Sequence, residues 1–423
     1  MRIIKKSKMK KIAIIVIIIL SQYSIEAQVM SLNEVLDTVT LRHPVVQMYD
    51  NEIRSMDEAA KGARSWMPPT LGVGQYMTPY NVNLWRRNGE MKGMGSIALS
   101  GEQMFPNKKK LNANEAYMKA MSGVEKEIKN RDINELIQDA KLLYYEWMVL
   151  QKKLTVVYEN EKLLDFMIKN AEIRYKNGLD KISAYYKAKA ALGSTKNMQL
   201  MYENDIKEKR IRLNALMGRS VLINFNIDTN YYFKDYSGFV FDTTLFFENR
   251  SDLRVLDREI NLSYLKAETE RQSLRPEFGI RYENMIGFGG QPVQYSLMAM
   301  MKMPFVSWAS RMNKANIESL KWKARATQSQ KEMMVNEYSG MAYGMRNEFE
   351  LKKRQLALYE EQIIPALKNN YKTMQLGYQQ NTEELFMLYD AWEKLNMTQL
   401  EYFDILTKAL EMQVTIDRLI EQK

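Results

Sequence analysis

Two hydrophobic rhythms run along the chain. In the first, Leu136, Ala140, Leu143, Trp147, Leu150, Leu154, Val157, Leu164 and Ile168 are spaced by alternating steps of four and three, and only Glu161 breaks the series. A stripe repeating every ~3.5 residues is the seam of a left-handed coiled coil. Residues 107–177 contain no Pro and one Gly, so they predict a single helix, about 100 Å long at 1.5 Å per residue. Asn177-Gly178-Leu179-Asp180 supplies the first turn, with Gly suited to a left-handed cap. A return helix over 181–217 follows, with Gly218 as its stop. The same plan recurs as helices over 312–377 and 382–419, turning near Gln379-Gln380-Asn381, with a kink expected at Pro365.

The second rhythm has a period of two. Ile97 and Leu99 alternate with Ser96, Ala98, Ser100 and Glu102, and Phe278, Ile280 and Tyr282 alternate with Glu277, Arg281 and Glu283. Leu71, Val73 and Met77 share one face of another strand. Tyr295, Leu297, Ala299, Met301 and Met303 do so in a fourth. These predict strands over about 70–80, 95–103, 277–287 and 294–303. Alternating segments of about ten residues suit a transmembrane β-barrel; a half-buried sheet in a soluble protein has the same alternation. Four strands cannot close a barrel, which takes roughly eight. An open sheet in lipid would leave edge N–H and C=O groups unpaired. Several chains must then share one barrel, and three would supply about twelve strands. The fold class expected is mainly α with transmembrane β: helix, two strands and a long helical hairpin, duplicated.

The halves match in order and in scattered residues. Ser65-Trp66-Met67-Pro68 recurs as Ser273-Leu274-Arg275-Pro276, and Tyr175, Tyr186 and Ala188 align with Tyr378, Tyr389 and Ala391 at one offset, with Gly178 facing Asn381. The first repeat is taken as 28–242, ending in an irregular linker over 224–242, and the second as 243–423. Residues 1–27 read as a secretory signal peptide: a basic stretch from Arg2 to Lys11, the apolar run Ile12 to Leu20, and Ala27 at the cleavage point. That run is shorter than the ~20 apolar residues of a spanning helix.

Composition removes several chemistries. The chain has no Cys, which excludes disulfides, thiolate metal sites and thiol catalysis. The net charge of +10 falls to +5 once the leader's six basic residues and one Glu are set aside. The remaining charges are interspersed, so nothing suggests nucleic acid. The one His, His43, precedes Pro at a helix interruption, with no triad or second metal-binding His nearby; no catalytic site, cofactor or metal ligand is assigned, and an enzyme is not expected. Gly287-Phe288-Gly289-Gly290 lacks the Lys-Ser/Thr of a phosphate loop and reads as a hairpin loop. The 31 Met residues, densest at Met298, Met300, Met301 and Met303, raise soft-metal binding against ordinary packing, which is the commoner use of Met.

Five motifs follow one another along the chain: Ser31-Leu32-Asn33-Glu34-Val35-Leu36 with His43-Pro44, Ala63 to Pro68, Ala171 to Gly178, Leu213 to Gly218, and Ile363 to Leu367 with Leu376-Gly377-Tyr378. In this order and spacing they resemble the TolC-like outer-membrane efflux protein family over essentially the whole chain after the leader. The resemblance implies a homotrimer with a twelve-stranded barrel in the outer membrane of a Gram-negative bacterium and a long α-helical barrel in the periplasm. It implies a passive exit duct for small molecules, drugs or metal ions, partnered by a periplasmic adaptor protein and an inner-membrane efflux transporter, and set in outer-membrane lipid. By the same resemblance Tyr175, Asn177, Gly178, Leu179, Tyr378 and Asn381 would be adaptor-contacting tips. Asp390, with Glu383 and Glu384 close by, would line a periplasmic gate. Met387 stands where a second gate Asp is usual. Gln103-Met104-Phe105-Pro106 resembles a motif of the heavy-metal branch, but Asn107-Lys108-Lys109 replaces its Pro-Gly-Lys. The competing reading is a structural coiled-coil protein without transport activity.

Overall fold

The computed structural model describes residues 29–178, 181–241 and 243–421; the leader and Leu179 lie outside them. In chain order the elements are β1 (Val29–Met30), α1 (Leu32–Arg42), α2 (Pro44–Lys61), β2 (Thr70–Tyr76), β3 (Ser96–Phe105), α3 (Lys108–Lys176), α4 (Ile182–Leu216) and β4 (Asn226–Ile227). The second half continues with α5 (Thr243–Asn249), α6 (Ser251–Ser273), β5 (Glu277–Gly287), β6 (Gln294–Lys302), α7 (Ser307–Leu358), a π-turn (Tyr359–Ile363), α8 (Ile364–Gln379) and α9 (Leu385–Leu419). The protein is mainly helical, and each half runs helix, two strands, long helical hairpin. Contacts divide it into one unit of residues up to 44, 133–240 and from 342 onward, and another of 45–132 and 241–341.

Local signals explain the breaks. Ser31 opens α1 with a reciprocal capping box: its hydroxyl accepts from Glu34 N at 3.4 Å and its own N–H donates to Glu34 Oε2 at 2.8 Å. His43 caps the far end in an extended conformation, as a residue before proline must. Gly218 ends α4 at φ +62, where a Cβ would sit 2.7 Å from the Arg42 carbonyl oxygen. Pro365 would drive its ring into the carbonyl four residues back, at Glu361. The helix answers by widening into the π-turn Tyr359–Ile363 just there.

In the unit holding most of the long hairpins, α3 is buried along the expected seam at Ala140, Leu143, Trp147, Val157 and Leu164, while Leu136, Leu150, Leu154 and Ile168 are half-buried. Beyond Val157 every second seam position moves back by one residue, to Asn160 and Met167, while Leu164 and Ala171 stay on the series. A straight helix drifts against a 3.5-residue repeat, and this shift is the reason Glu161 breaks the series. Buried Asn160 donates to Asn396 Oδ1 at 2.7 Å and accepts from Trp392 Nε1 at 2.8 Å.

The linker is not a loose connection. Phe225 packs edge-on to Trp147 at 5.0 Å, and Ile227 pairs in parallel with Met30. Tyr236 donates to buried Asp417 at 2.7 Å. Asp417 also takes Lys141 at 3.0 Å and Lys234 at 2.9 Å, so α3, the linker and α9 meet on one carboxylate. Burial and the Asp417 charge push the Tyr236 hydroxyl far above its ordinary pKa, so it stays a donor.

In the other unit, β2, β3, β5 and β6 form one antiparallel sheet in that order. Val73 pairs with Leu99, Ile97 with Ile286, Tyr282 with Leu297, and Phe278 with Met301. One face is therefore mostly apolar, with Gln75, Gln103 and Asn284 among its apolar side chains, and it is exposed: Leu71 is 81% and Tyr295 74% accessible. The other face carries Glu102, Arg281, Glu283 and Ser100. Two strand ends differ from the sequence reading. Met77 has φ +49 and lies past the end of β2, and Met303 falls past β6. Gly287 to Gly290 begin the β5–β6 turn, with Gly289 and Gly290 at positive φ.

Asp417→Asn should lower stability by about 3–5 kcal/mol, because it leaves Lys141 buried beside a neutral partner. Thermal unfolding measures this, and adding Lys141→Met should recover much of the loss.

Candidate functional site: hairpin tips and the exposed sheet

The first hairpin turns at Gly178, whose φ of +71 is left-handed; Gly178 N donates to Tyr175 O at 2.9 Å. Among the described residues nothing lies within 4 Å of where its Cβ would be, and the constraint seen is the left-handed backbone. Tyr175, Asn177 and Gly178 are exposed. The second hairpin turns at Asn381, with φ +63. Asn is the residue after Gly that best tolerates this region, because its short polar side chain bonds locally. Thr382 N and Glu383 N both donate to Gly377 O, at 2.9 and 3.2 Å, and Glu383 folds over Gly377, where a Cβ would meet its Cγ at 2.6 Å.

The two tips are clasped by Arg174. Its guanidinium lies 4.6 Å from the Tyr378 ring centroid and donates to Tyr378 O at 3.2 Å and to the Asn381 side-chain oxygen. Tyr378 is consequently 2% exposed, so of the six expected tip residues it supports the turn from within. Lys187 of α4 sits over the rings of Phe386, at 3.8 Å, and Tyr389, at 4.1 Å. Between the tips runs a groove with Arg174, Lys181 and Lys187 on the first hairpin and Glu383 and Glu384 on the second. Asp390 is exposed in the second turn of α9, after Met387, which is also exposed. The sequence reading did not single out Arg174 or Lys187. Arg174 stood within the Arg-Tyr pattern that marked the tip, whereas Lys187 carried no signal.

In the sheet unit, the loops at the ends of β2 and β5 lock together. Trp85 stacks on Phe288 at 5.2 Å and 7°, and Gly93 N donates to Gly289 O at 3.0 Å. β2 and β6 are the sheet's outer strands.

This mainly helical fold, with a four-stranded antiparallel sheet and two long hairpins, is shared with solved outer-membrane channels. The outer-membrane channel OprN aligns over 93% of this chain and 90% of its own with TM-score 0.75 at 13% identity. CusC, whose structures concern folding and transmembrane channel formation, gives 0.73 over 92% and 91% at 11% identity. The outer membrane protein VceC from Vibrio cholerae gives 0.71 over 92% and 95% at 13%. In sequence, the model of the outer membrane efflux protein family matches residues 35–219. A search of curated proteins finds no significant match. The resemblance to the TolC-like outer-membrane efflux family thus holds in sequence across most of the first repeat and in fold across nearly all of the chain. That family is one of channels, not of enzymes.

Arg174→Ala should loosen the second turn, since a stacked, doubly bonded guanidinium contributes on the order of 1–2 kcal/mol. Amide exchange at Gly377 to Glu384 should quicken by roughly tenfold per 1.4 kcal/mol. Arg174→Lys should restore little, because an ammonium cannot both stack and bond in the guanidinium plane.

Proposed function

We propose that this chain is the exit duct of a tripartite efflux or secretion system in the outer membrane, working as a homotrimer. The observation that carries this reading is the sheet, apolar and exposed across one face and open at β2 and β6. An apolar face of this extent suits lipid, and edges in lipid must be paired. Because the sheet is antiparallel throughout with four strands, β6 of one chain runs antiparallel to β2 of the next. A ring of copies therefore closes without a parallel seam, and three give twelve strands, within the range of such barrels.

The internal repeat supports the same closure in the helices. Tyr378, Leu385 and Tyr389 are buried against the first hairpin of their own chain. Their counterparts at the constant offset, Tyr175, Ile182 and Tyr186, are exposed, Tyr186 by 61%. If the repeat continues around a ring, those exposed side chains meet the second hairpin of the next copy. The tips, with the mixed-charge groove between them, then offer a periplasmic adaptor its docking point, reached through Tyr175, Asn177, Gly178, Leu179 and Asn381, and an inner-membrane transporter stands behind it. Asp390, with Glu383 and Glu384, lines the entrance in this reading, and the leader over 1–27 directs export. A structural coiled-coil protein would account for the hairpins but not for an exposed, open-edged apolar sheet.

Fractionation of the expressed protein, followed by native sizing in mild detergent, tests the reading. A trimer in the outer membrane, conducting ions as single channels, is expected; a soluble monomer or dimer refutes it. Gly178→Trp should leave the trimer intact, at a local cost of about 1–3 kcal/mol for a non-Gly residue in the left-handed region, yet abolish efflux. Full efflux in that variant would remove the tip from adaptor docking.

A further inference from the structure

The sheet sorts the methionines that the sequence presents as a cluster. Met301 points with the apolar face and Met303 lies beyond β6, so neither shares a surface with Met298 and Met300. The other face gains a residue from a distant strand instead. Met104 of β3 pairs with Gly279 of β5, and Gly279 pairs with Met300 of β6, in one row. Met298 stands on the same face one row on, paired with Arg281.

Gly279 is the centre of this row. It is buried, and a Cβ there would lie 2.3 Å from Met104 Sδ and 3.3 Å from Met300 Cε. Two thioether side chains from different strands therefore converge over the one position in the row that has no side chain. Methionine filling a gap in an apolar core would need no further account. Here the pair lies on the polar face, with Glu102, Glu277 and Glu283, and Met298 beside it is 40% exposed. Neutral, polarizable sulfur ligands reached from water select soft cations; hard divalent ions require oxygen clusters. Among the described residues no group of three or more His, Cys, Asp or Glu is placed to hold a metal.

We propose that Met104, Met298 and Met300 form a thioether site for a soft monovalent cation, copper(I) or silver(I), on the polar face of the sheet. Each side chain has three rotatable bonds, which lets the sulfurs turn onto an ion that enters from the solvent side. The site lies within one chain, so it stands or falls separately from the duct reading. If that reading also holds, the polar face is the lumen, and three such sites would ring it.

Silver(I) is the probe of choice, since it needs no reductant. Calorimetric titration of the purified full chain should give one site per chain. Met104→Leu with Met300→Leu, close in volume and tolerated in packing, should weaken it by more than about tenfold, as losses even outside the ligand sphere do. Met301→Leu with Met303→Leu should leave the affinity unchanged. Gly279→Ala keeps every sulfur but occupies the point of convergence, and it too should weaken binding. Absence of a stoichiometric site, an equal loss in both Leu pairs, or full affinity in the Gly279 variant would each overturn the proposal.

Discussion

The structure turns on the unpaired backbone of two edge strands. A four-stranded antiparallel sheet has two free edges whatever its sequence, and each carries a row of N–H and C=O groups that must find partners. In water such edges are tolerable. Beside an apolar face that itself wants to leave water they are not, because burying the face buries the edges as well. In the proposed duct, burial of the face in lipid and pairing of β2 with β6 of the next copy would be one event. The antiparallel order β2-β3-β5-β6 permits that event between copies of the chain without rearranging any strand.

Away from the sheet, a few buried polar groups fix which arrangement of the long helices is adopted. Coiled-coil packing alone is forgiving, since apolar side chains slide past one another in several registers. The Asn160–Asn396–Trp392 chain and the Asp417 carboxylate with its two lysines and Tyr236 are not forgiving. A register slip would strand each of them without a partner in a low-dielectric setting. The Asp417 group also explains the packed linker: Lys234 and Tyr236 are partners the buried carboxylate uses, and they hold the linker against α3 and α9.

The two hairpins show duplication followed by a division of labour. Gly178 and Asn381 keep the same left-handed turn, and Ala188 and Ala391 are buried alike. Tyr175 and Tyr378 have parted: one is exposed, the other lies under Arg174. The identical side chain thus serves the surface in one repeat and the interior in the other. The difference comes from what lies beside each hairpin within a single chain.

Features that depend on neighbours in sequence were legible without the fold. The strands, the long helices, the turns at Gly178 and Asn381 and the disruption at Pro365 follow from periodicity, from glycine's freedom at positive φ and from the missing proline N–H. The apolar face of each strand was equally plain, because side chains alternate by geometry alone. Register, partnership and burial are set by contacts between residues far apart in the chain, and no local pattern encodes them. Alternation along β6 already set Met298 and Met300 on the face opposite Met301; only the pairing of β3, β5 and β6 brought Met104 over Gly279 beside Met300. The repeat aligned Tyr378 with Tyr175, and only the fold put the first under Arg174 and left the second exposed. The chain by itself determined which elements form and which way each face looks, since those are properties of a few consecutive residues. The tertiary structure alone decided which side chains meet, because long-range packing and the need to satisfy buried polar groups choose among the arrangements those elements allow.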